Sequence, residues 1–228
     1  MLAPRLKMIS EHINTKTAAD IGTDHAYVPI YLAQNKISDF IIASDIKKGP
    51  LDIARSNVLK YGLSDKIELR LGAGLEPVGK NEVQSIVIAG MGGEVIKNIL
   101  EKDKEKAMCA ECLILQPMNS QDLLRKWLSD NNFSIFEEDI TTEGYKVYNL
   151  ICAKKGTPVI FKDEFELHLP EYLYNHKNFK YLKEKKLREF KKIKSGLEKA
   201  AEKDTVLIKK YEEFIKRTEN ISERKGMM

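Results

Sequence analysis

The sequence predicts an open α/β sheet of seven strands followed by a helical hairpin. Three observations predict it. Short apolar runs ending in Gly or Asp alternate with stretches of helical periodicity over roughly the first 130 residues. Two β-rich runs then flank Glu143-Gly144, the pattern of an antiparallel pair. Beyond about Pro170, apolar residues recur at spacings near three and four among many lysines, the pattern of two long helices with a narrow seam.

Each element has its own signal. Leu2, Leu6, Ile9 and Ile13 recur at helical spacing, so residues 1–10 read as an amphipathic helix. Thr17 to Ile21 is an apolar run ending at Gly22, and a helix-like run follows over 26–34. Phe40 to Asp45 is a second buried strand with an acid at its tip. Gly49-Pro50 starts the next helix, since proline is favoured at the first position. Leu51, Ala54, Val58 and Leu59 line one face of it, and Gly62 ends it. Ile67 to Leu71 is a third strand, tipped by Gly72-Ala73-Gly74. A fourth strand over 85–89 runs into Gly90-Met91-Gly92-Gly93 and a helix over 94–101. A fifth over 112–116 precedes a helix over 121–131, where Trp127 joins Leu123, Leu124 and Leu128 as core. Strands over 133–140 and 145–153 complete a Rossmann-like sheet. In the hairpin, Phe179, Leu182, Leu187, Phe190, Ile193 and Leu197 mark one helix, and Leu207, Tyr211, Phe214 and Ile221 the other, with Asp204 between them. The expected division is a sheet domain over 1–160 and a coiled-coil-like hairpin over 161–228. No glycine-rich linker separates the two, so the hairpin is expected to pack on the sheet.

A chain of 228 residues suits one domain with an appendage. It has no run of 18 apolar residues, hence no expected membrane span. Residues 1–10 carry Arg5 and Lys7 but no long apolar core, so a signal peptide is not expected and a cytoplasmic location is. Cys109, Cys112 and Cys152 are an odd set, and the single Cys-x-x-Cys pair lacks the second pair that a zinc site needs. Ordinary thiols and no metal are expected. No feature of the sequence sets an oligomeric state. The net charge of +4 hides a split. Residues 176–228 carry 17 Lys and Arg against 9 Asp and Glu, a net of +8, which leaves the rest at −4.

The stretch Asp-Ile-Gly-Thr-Asp-His-Ala-Tyr-Val-Pro, residues 20–29, is the expected centre of the site, because ligands of such sheets bind beyond the carboxyl ends of the strands. Asp20 sits at the strand tip, and Gly22 permits a sharp turn and close ligand approach. Asp24 and His25 follow in the turn. Two readings of Asp24 stand at this level: a functional carboxylate, or an N-cap of the following helix. His25 is either an orienting group or a helix-start hydrogen-bonding partner, and Tyr27 either lines the site or packs in the core. A nicotinamide or flavin site would need Gly-x-Gly-x-x-Gly. Here Asp24 stands in the second glycine position, and after Gly90-Met91-Gly92-Gly93 position 95 is valine. No P-loop is present. A crevice rich in acids repels phosphates and suits a ligand bearing a sulfonium and an ammonium, namely S-adenosylmethionine. Asp45, 23 residues past Gly22, is placed to hold ribose hydroxyls.

Three motifs carry a family resemblance: the stretch at 20–29, Ile-Ala-Gly-Met-Gly-Gly, and Leu-Ile-Leu-Gln-Pro. Together they resemble the bacterial TrmK family, tRNA methyltransferases that modify N1 of adenine 22. The resemblance covers about residues 1–155, and the helical hairpin fits as well. It implies a methyltransferase sheet, S-adenosylmethionine as cofactor and tRNA as substrate. It implies cofactor contacts at Asp20, Gly22, Asp45 and Ile46, at Gly72, Ala73, Gly74 and Leu75, and at Ala89, Gly90 and Met91. The family usually has Gly-Asp-Gly-Leu where this chain has Gly-Ala-Gly-Leu, so the bond of that acid to the cofactor adenine is missing. Methylation at N1 places positive charge on adenine, which Asp24 would stabilise while His25 and Tyr27 orient the base. Gly92 and Gly93 would leave room for the base, unless they form only a tight turn. Arg5 would meet RNA phosphate, unless it is solvated surface charge. Lys180, Lys183, Lys191 and Lys194 would share a face that grips the tRNA backbone; a merely solvated helix is the alternative. The competing functions are a methyltransferase acting on another RNA or a small molecule, and a non-enzymatic RNA-binding scaffold.

Overall fold

The computed structural model describes residues 2–222; Met1 and residues 223–228, the end of the basic segment, lie outside the described residues. The sheet is built from β1 (Thr17–Ile21), β2 (Phe40–Asp45), β3 (Ile67–Leu71), β4 (Ser85–Met91), β5 (Cys112–Pro117), β6 (Phe133–Glu143) and β7 (Lys146–Lys155). Their order is β3-β2-β1-β4-β5-β7-β6, and β7 alone runs opposite to the other six. Six helices cover the sheet: α1 (Pro4–Glu11), α2 (Tyr27–Gln34), α3 (Lys48–Lys60), α4 (Gly93–Lys102), α5 (Lys104–Cys109) and α6 (Gln121–Asp130). The first three share one core with one face of the sheet, around Ile9, Leu32, Ala54 and Ile114. The last three share another with the opposite face, around Ile96, Leu100, Leu115 and Trp127. Strands buried on both faces read as continuous apolar runs, which is why the sequence located them.

The elements depart from expectation at their edges. α3 begins at Lys48, placing Pro50 one turn inside its start, where a missing N–H costs nothing. It ends as expected at Gly62, whose φ of +65° closes the helix with Gly62 N–H to Leu59 O and Leu63 N–H to Val58 O. Leu59 and Leu123 are 62% and 45% exposed, so neither joins the core. β4 continues through Met91 across an irregularity after Ala89, because its backbone stays paired with β5. α5 carries no strong periodic signal and was not foreseen. The hairpin between β6 and β7 turns through Gly144, at a φ of +58°.

Beyond the sheet come α7 (Glu164–His168), a 3-10 turn at Glu171–Leu173, α8 (Phe179–Lys199) and α9 (Thr205–Asn220). Asp204 caps α9 by accepting from Leu207 N–H at 2.9 Å. This segment shares a third core with the sheet, where Phe165, Leu182, Phe190 and Phe214 meet Ile140 of β6 and Val147 of β7. Not all its lysines face outward. Lys185 reaches the Val147 carbonyl at 3.1 Å, and Lys186 is 4% exposed. Arg125 of α6 and Glu138 of β6 form an ion pair with both side chains fully buried, and the guanidinium also donates to Leu167 O at 2.6 Å. Burial opposes that charge, and the Glu138 carboxylate restores it.

Candidate active site

The loop between β1 and α2 is tied down by its backbone. Gly22 and Thr23 N–H donate to Ser44 O of β2 at 2.8 and 2.9 Å, and Asn57 of α3 donates to the His25 carbonyl at 3.0 Å. Gly22 has a φ of +74°, and a Cβ there would collide with the Met91 methyl group. Asp24 and Ala26 also lie in the left-handed region, at +52° and +58°. Asp tolerates this region better than most residues, whereas Ala26 is held in it by the loop's backbone bonds.

This loop, α1 and the tip of β4 enclose a crevice of about 280 Å³. It brings together Arg5, Asp20, Gly22, Asp24, His25 and Tyr27, with Ala89 and Gly90 opposite. Asp20 is 7% exposed. Burial pushes its carboxyl up to about 6, against the Thr23 hydroxyl that donates to it at 2.7 Å and the nearby Arg5 charge. Asp24 and His25 stay at the surface, their side chains meeting at 3.5 Å. The His25 ring stacks on Tyr27 with centroids 5.2 Å apart. Tyr27 is 48% exposed and is not a core ring. The capping alternative for Asp24 also fails: α2 starts from Ala26, and no side chain caps it.

Asp45, Ile46 and the loop 72–75 sit on the neighbouring tips of β2 and β3, linked by Gly72 N–H to Asp45 O at 3.0 Å. One Asp45 oxygen accepts from Lys47 N–H at 2.8 Å. Ile46 is 66% exposed. Ala73 is half-buried, its N–H turned toward Glu76 at 3.4 Å. Leu75 requires a correction: the whole residue is buried in the core it shares with α4, and its carbonyl accepts from Lys106 Nζ at 2.8 Å and from Val78 N–H at 3.1 Å, so it anchors the loop rather than facing the crevice. Gly74 takes a positive φ with the Ile99 side chain close against it.

Arg5 also departs from the solvated reading. Its guanidinium donates to Gln116 Oε1 at 3.1 Å and lies 5.7 Å from the Tyr148 ring centroid. The same Gln116 oxygen accepts from Gly90 N–H at 3.2 Å. Gln116, Thr23 and Tyr148 are site residues that sequence reasoning missed; the glutamine within the third motif was the signal that could have found one of them. Gly92 and Gly93 are packed against the loop 117–120. Gly93 N–H donates to Asn119 O at 3.0 Å and Met118 N–H to Met91 O at 2.8 Å, and a Cβ on Gly93 would strike the Ser120 carbonyl.

Three of the four hairpin lysines are engaged by α9 or its end. Lys183 donates to Ile221 O at 2.7 Å, Lys191 pairs with Glu219 at 2.8 Å, and Lys194 pairs with Glu198 and Glu212 at 2.9 and 3.2 Å. Lys180 is exposed, its amine 4.8 Å from the Tyr181 ring centroid. Of the cysteines, Cys112 has its thiol pushed up to about 11 and Cys152 is pushed higher still, both by burial. Neither is a ready nucleophile. Cys152 lies near His12 and Glu137, and the His12 Nε2 faces Glu137 and Asp139 at 3.5 and 3.8 Å.

A methyltransferase-domain family model matches residues 2–151. The structure is also similar to the Bacillus subtilis m1A22 tRNA methyltransferase TrmK, with a TM-score of 0.84 and 31% identity over 97% of this chain and 98% of that one. This chain belongs to the TrmK family. By sequence, the B. subtilis tRNA (adenine(22)-N(1))-methyltransferase is 41% identical over 156 residues, 68% of this chain and 66% of that protein. The chain thus spans just under two thirds of the length of the curated relatives it matches. A Streptococcus pneumoniae protein, described as a putative tRNA (m1A22) methyltransferase and solved with S-adenosyl-L-methionine, matches at a TM-score of 0.84 and 31% identity, over 97% of this chain and 99% of that one.

Proposed function

We infer that this chain transfers a methyl group from S-adenosylmethionine to N1 of adenine 22 in tRNA. The observation that carries the reading is the acid-lined crevice beyond β1 and β4, with a carboxylate, an imidazole and a phenol at its mouth. It lies in a chain that matches TrmK-family structures over nearly its whole length. The residues fit the cofactor: a buried carboxyl at Asp20 suits an ammonium, and the second Asp45 oxygen suits a ribose hydroxyl.

When bound, the cofactor supplies an already electrophilic methyl group, so the protein's task is positioning and charge stabilisation. Asp20, Gly22, Asp45, Ile46, the loop 72–74 and the backbone of 89–91 hold it. Gly92 and Gly93 act on the base indirectly, by seating the loop 117–120 close against the tip of β4. N1 lies on the Watson–Crick edge, so adenine must leave its stack, and the exposed His25–Tyr27 pair offers an aromatic surface to receive it. Asp24 then faces the charge that methylation puts on the ring, or accepts the N6 proton. Arg5 is positioned by Gln116 to meet the substrate at the rim. The unit over 161–228 grips the tRNA backbone, and the unit over 1–160 carries the chemistry. No helix among the described residues is long and apolar enough to cross a membrane, in keeping with a tRNA-acting enzyme of the cytoplasm.

The test is methyl transfer to unmodified tRNA transcripts, followed by mapping of the modified base. Methylation of adenine 22 at N1 is expected. Methylation elsewhere, or of small molecules only, would point to another substrate, and absence of cofactor binding would leave an RNA-binding scaffold.

A further inference from the structure

Lysines are almost never fully buried without partners. Lys186 of α8 is 4% exposed and lies between the hairpin and the sheet. Its amine pairs with Glu189 at 2.9 Å and donates to Gln121 Oε1 at 3.3 Å. Gln121 opens α6 and is itself 2% exposed. Its amide nitrogen donates to Pro117 O at 3.4 Å. The orientation of this amide follows from its neighbours. A lysine can only donate and a carbonyl can only accept, so the oxygen must face Lys186 and the nitrogen Pro117.

Pro117 begins the loop 117–120 that clasps Gly92 and Gly93. Met118 and Asn119 are tied to Met91 and Gly93 by backbone hydrogen bonds of 2.8 and 3.0 Å. Ser120 is held at a φ of +51°, a conformation that a serine keeps only when its surroundings impose it. A continuous polar chain therefore runs from α8 to the loop that holds Met91 and Gly93, directly after the crevice-lining Ala89 and Gly90. Both side-chain bonds in it are longer than the usual 2.9–3.0 Å. A small displacement of α8 would alter them before it disturbed the apolar core.

We propose that Lys186 and Gln121 link the helical hairpin to the loop 117–120, so that seating of tRNA on the hairpin sets the wall of the base pocket. This rests on the reading that the crevice receives a tRNA base. Lys186 and Gln121 are then positioning residues, acting on methyl transfer without touching substrate.

The deciding variant is Gln121→Glu. It keeps an acceptor for Lys186 and strengthens that interaction with a charge, but it has no N–H to give Pro117. It also sets a carboxylate oxygen against the Pro117 carbonyl, which keeps the bond it accepts from Gln116 Nε2 at 3.1 Å, so a purely structural role predicts some loss of stability with a normal rate in the folded protein. The proposal predicts, for protein folded at the assay temperature, unchanged cofactor affinity by calorimetry and a single-turnover methylation rate lower by about tenfold or more at saturating tRNA. Lys186→Met, of similar length and apolar, cuts the chain at its other end. It should show the same loss of rate, and the double variant should lose no more than either single one. A normal rate in folded Gln121→Glu, or losses that multiply in the double variant, overturns the proposal. Wild-type protein inactive on tRNA would instead overturn the function on which it rests.

Discussion

Asp20 holds a carboxyl where an amide would be more comfortable, and Asp20→Asn exposes that conflict. Burial lifts this carboxyl from 3.8 to about 6. A shift of roughly two units corresponds to about 3 kcal/mol between protonation states. The folded value is the raised one, so the folded chain binds the proton more tightly. The associated stability is fully present below the unfolded value near 4 and is lost as pH rises through about 6. At pH 7.5 the wild type bears the full cost of a buried charge. Asparagine bears none, and its oxygen still accepts from Thr23. Asp20→Asn is expected to be more stable at pH 7.5 by about 1–3 kcal/mol, or several degrees in Tm for a chain of this size. The gain should shrink toward zero near pH 4. The same change should weaken S-adenosylmethionine binding about ten- to a hundredfold, since a hydrogen bond to a charged group is lost. Urea denaturation across pH measures the first effect and calorimetry the second. Wild-type affinity for the cofactor should likewise fall as pH drops below about 6. A variant less stable at pH 7.5, or a stability difference independent of pH, would refute the buried-charge argument.

Asp24→Asn should fold normally, because the side chain caps no helix, bind cofactor normally, and lose about 10²–10³ in turnover at saturating tRNA. Ala73→Asp should tighten cofactor binding by up to about 1.5–3 kcal/mol in calorimetry; unchanged affinity would mean that position 73 faces away from the cofactor. Charge reversal of the four hairpin lysines would set glutamates against Glu212 and Glu219, so the cleaner variant is glutamine at Lys180, Lys191 and Lys194. It should weaken tRNA binding and reduce the salt slope by about one unit for each phosphate no longer neutralised, read by filter binding across a salt series, while an unchanged slope would place the RNA surface elsewhere. Glu138→Gln leaves the buried Arg125 without its counter-charge and should cost about 3–5 kcal/mol in chemical denaturation.

The sequence by itself determined the sheet, the alternation of its strands with helices and the location of the crevice. Strands buried on both faces are largely apolar, so β1 and β2 were legible to the residue; β3, an edge strand with Glu68 and Leu71 exposed, was bounded instead by the glycine turn that follows it. Glycines and acids at strand tips mark the ligand side, because the chain must turn there and a ligand must approach. Tertiary structure decided what depends on distant partners. The place of Arg5 is set by Gln116, 111 residues away. Lys186 reads as one more surface lysine until α6 and its Gln121 come beneath it. Lys191 and Lys194 show helical spacing in the sequence, but only the approach of α9 occupies their charges. Leu59 and Leu123 fit an apolar stripe, yet the flanks of α3 and α6 where they lie are not covered by another layer. Helical periodicity specifies which residues share a face of a helix. It carries no information on how wide a strip of that face the neighbouring layer will cover, because that width follows from sheet twist and helix packing angle, which arise only when all the elements assemble.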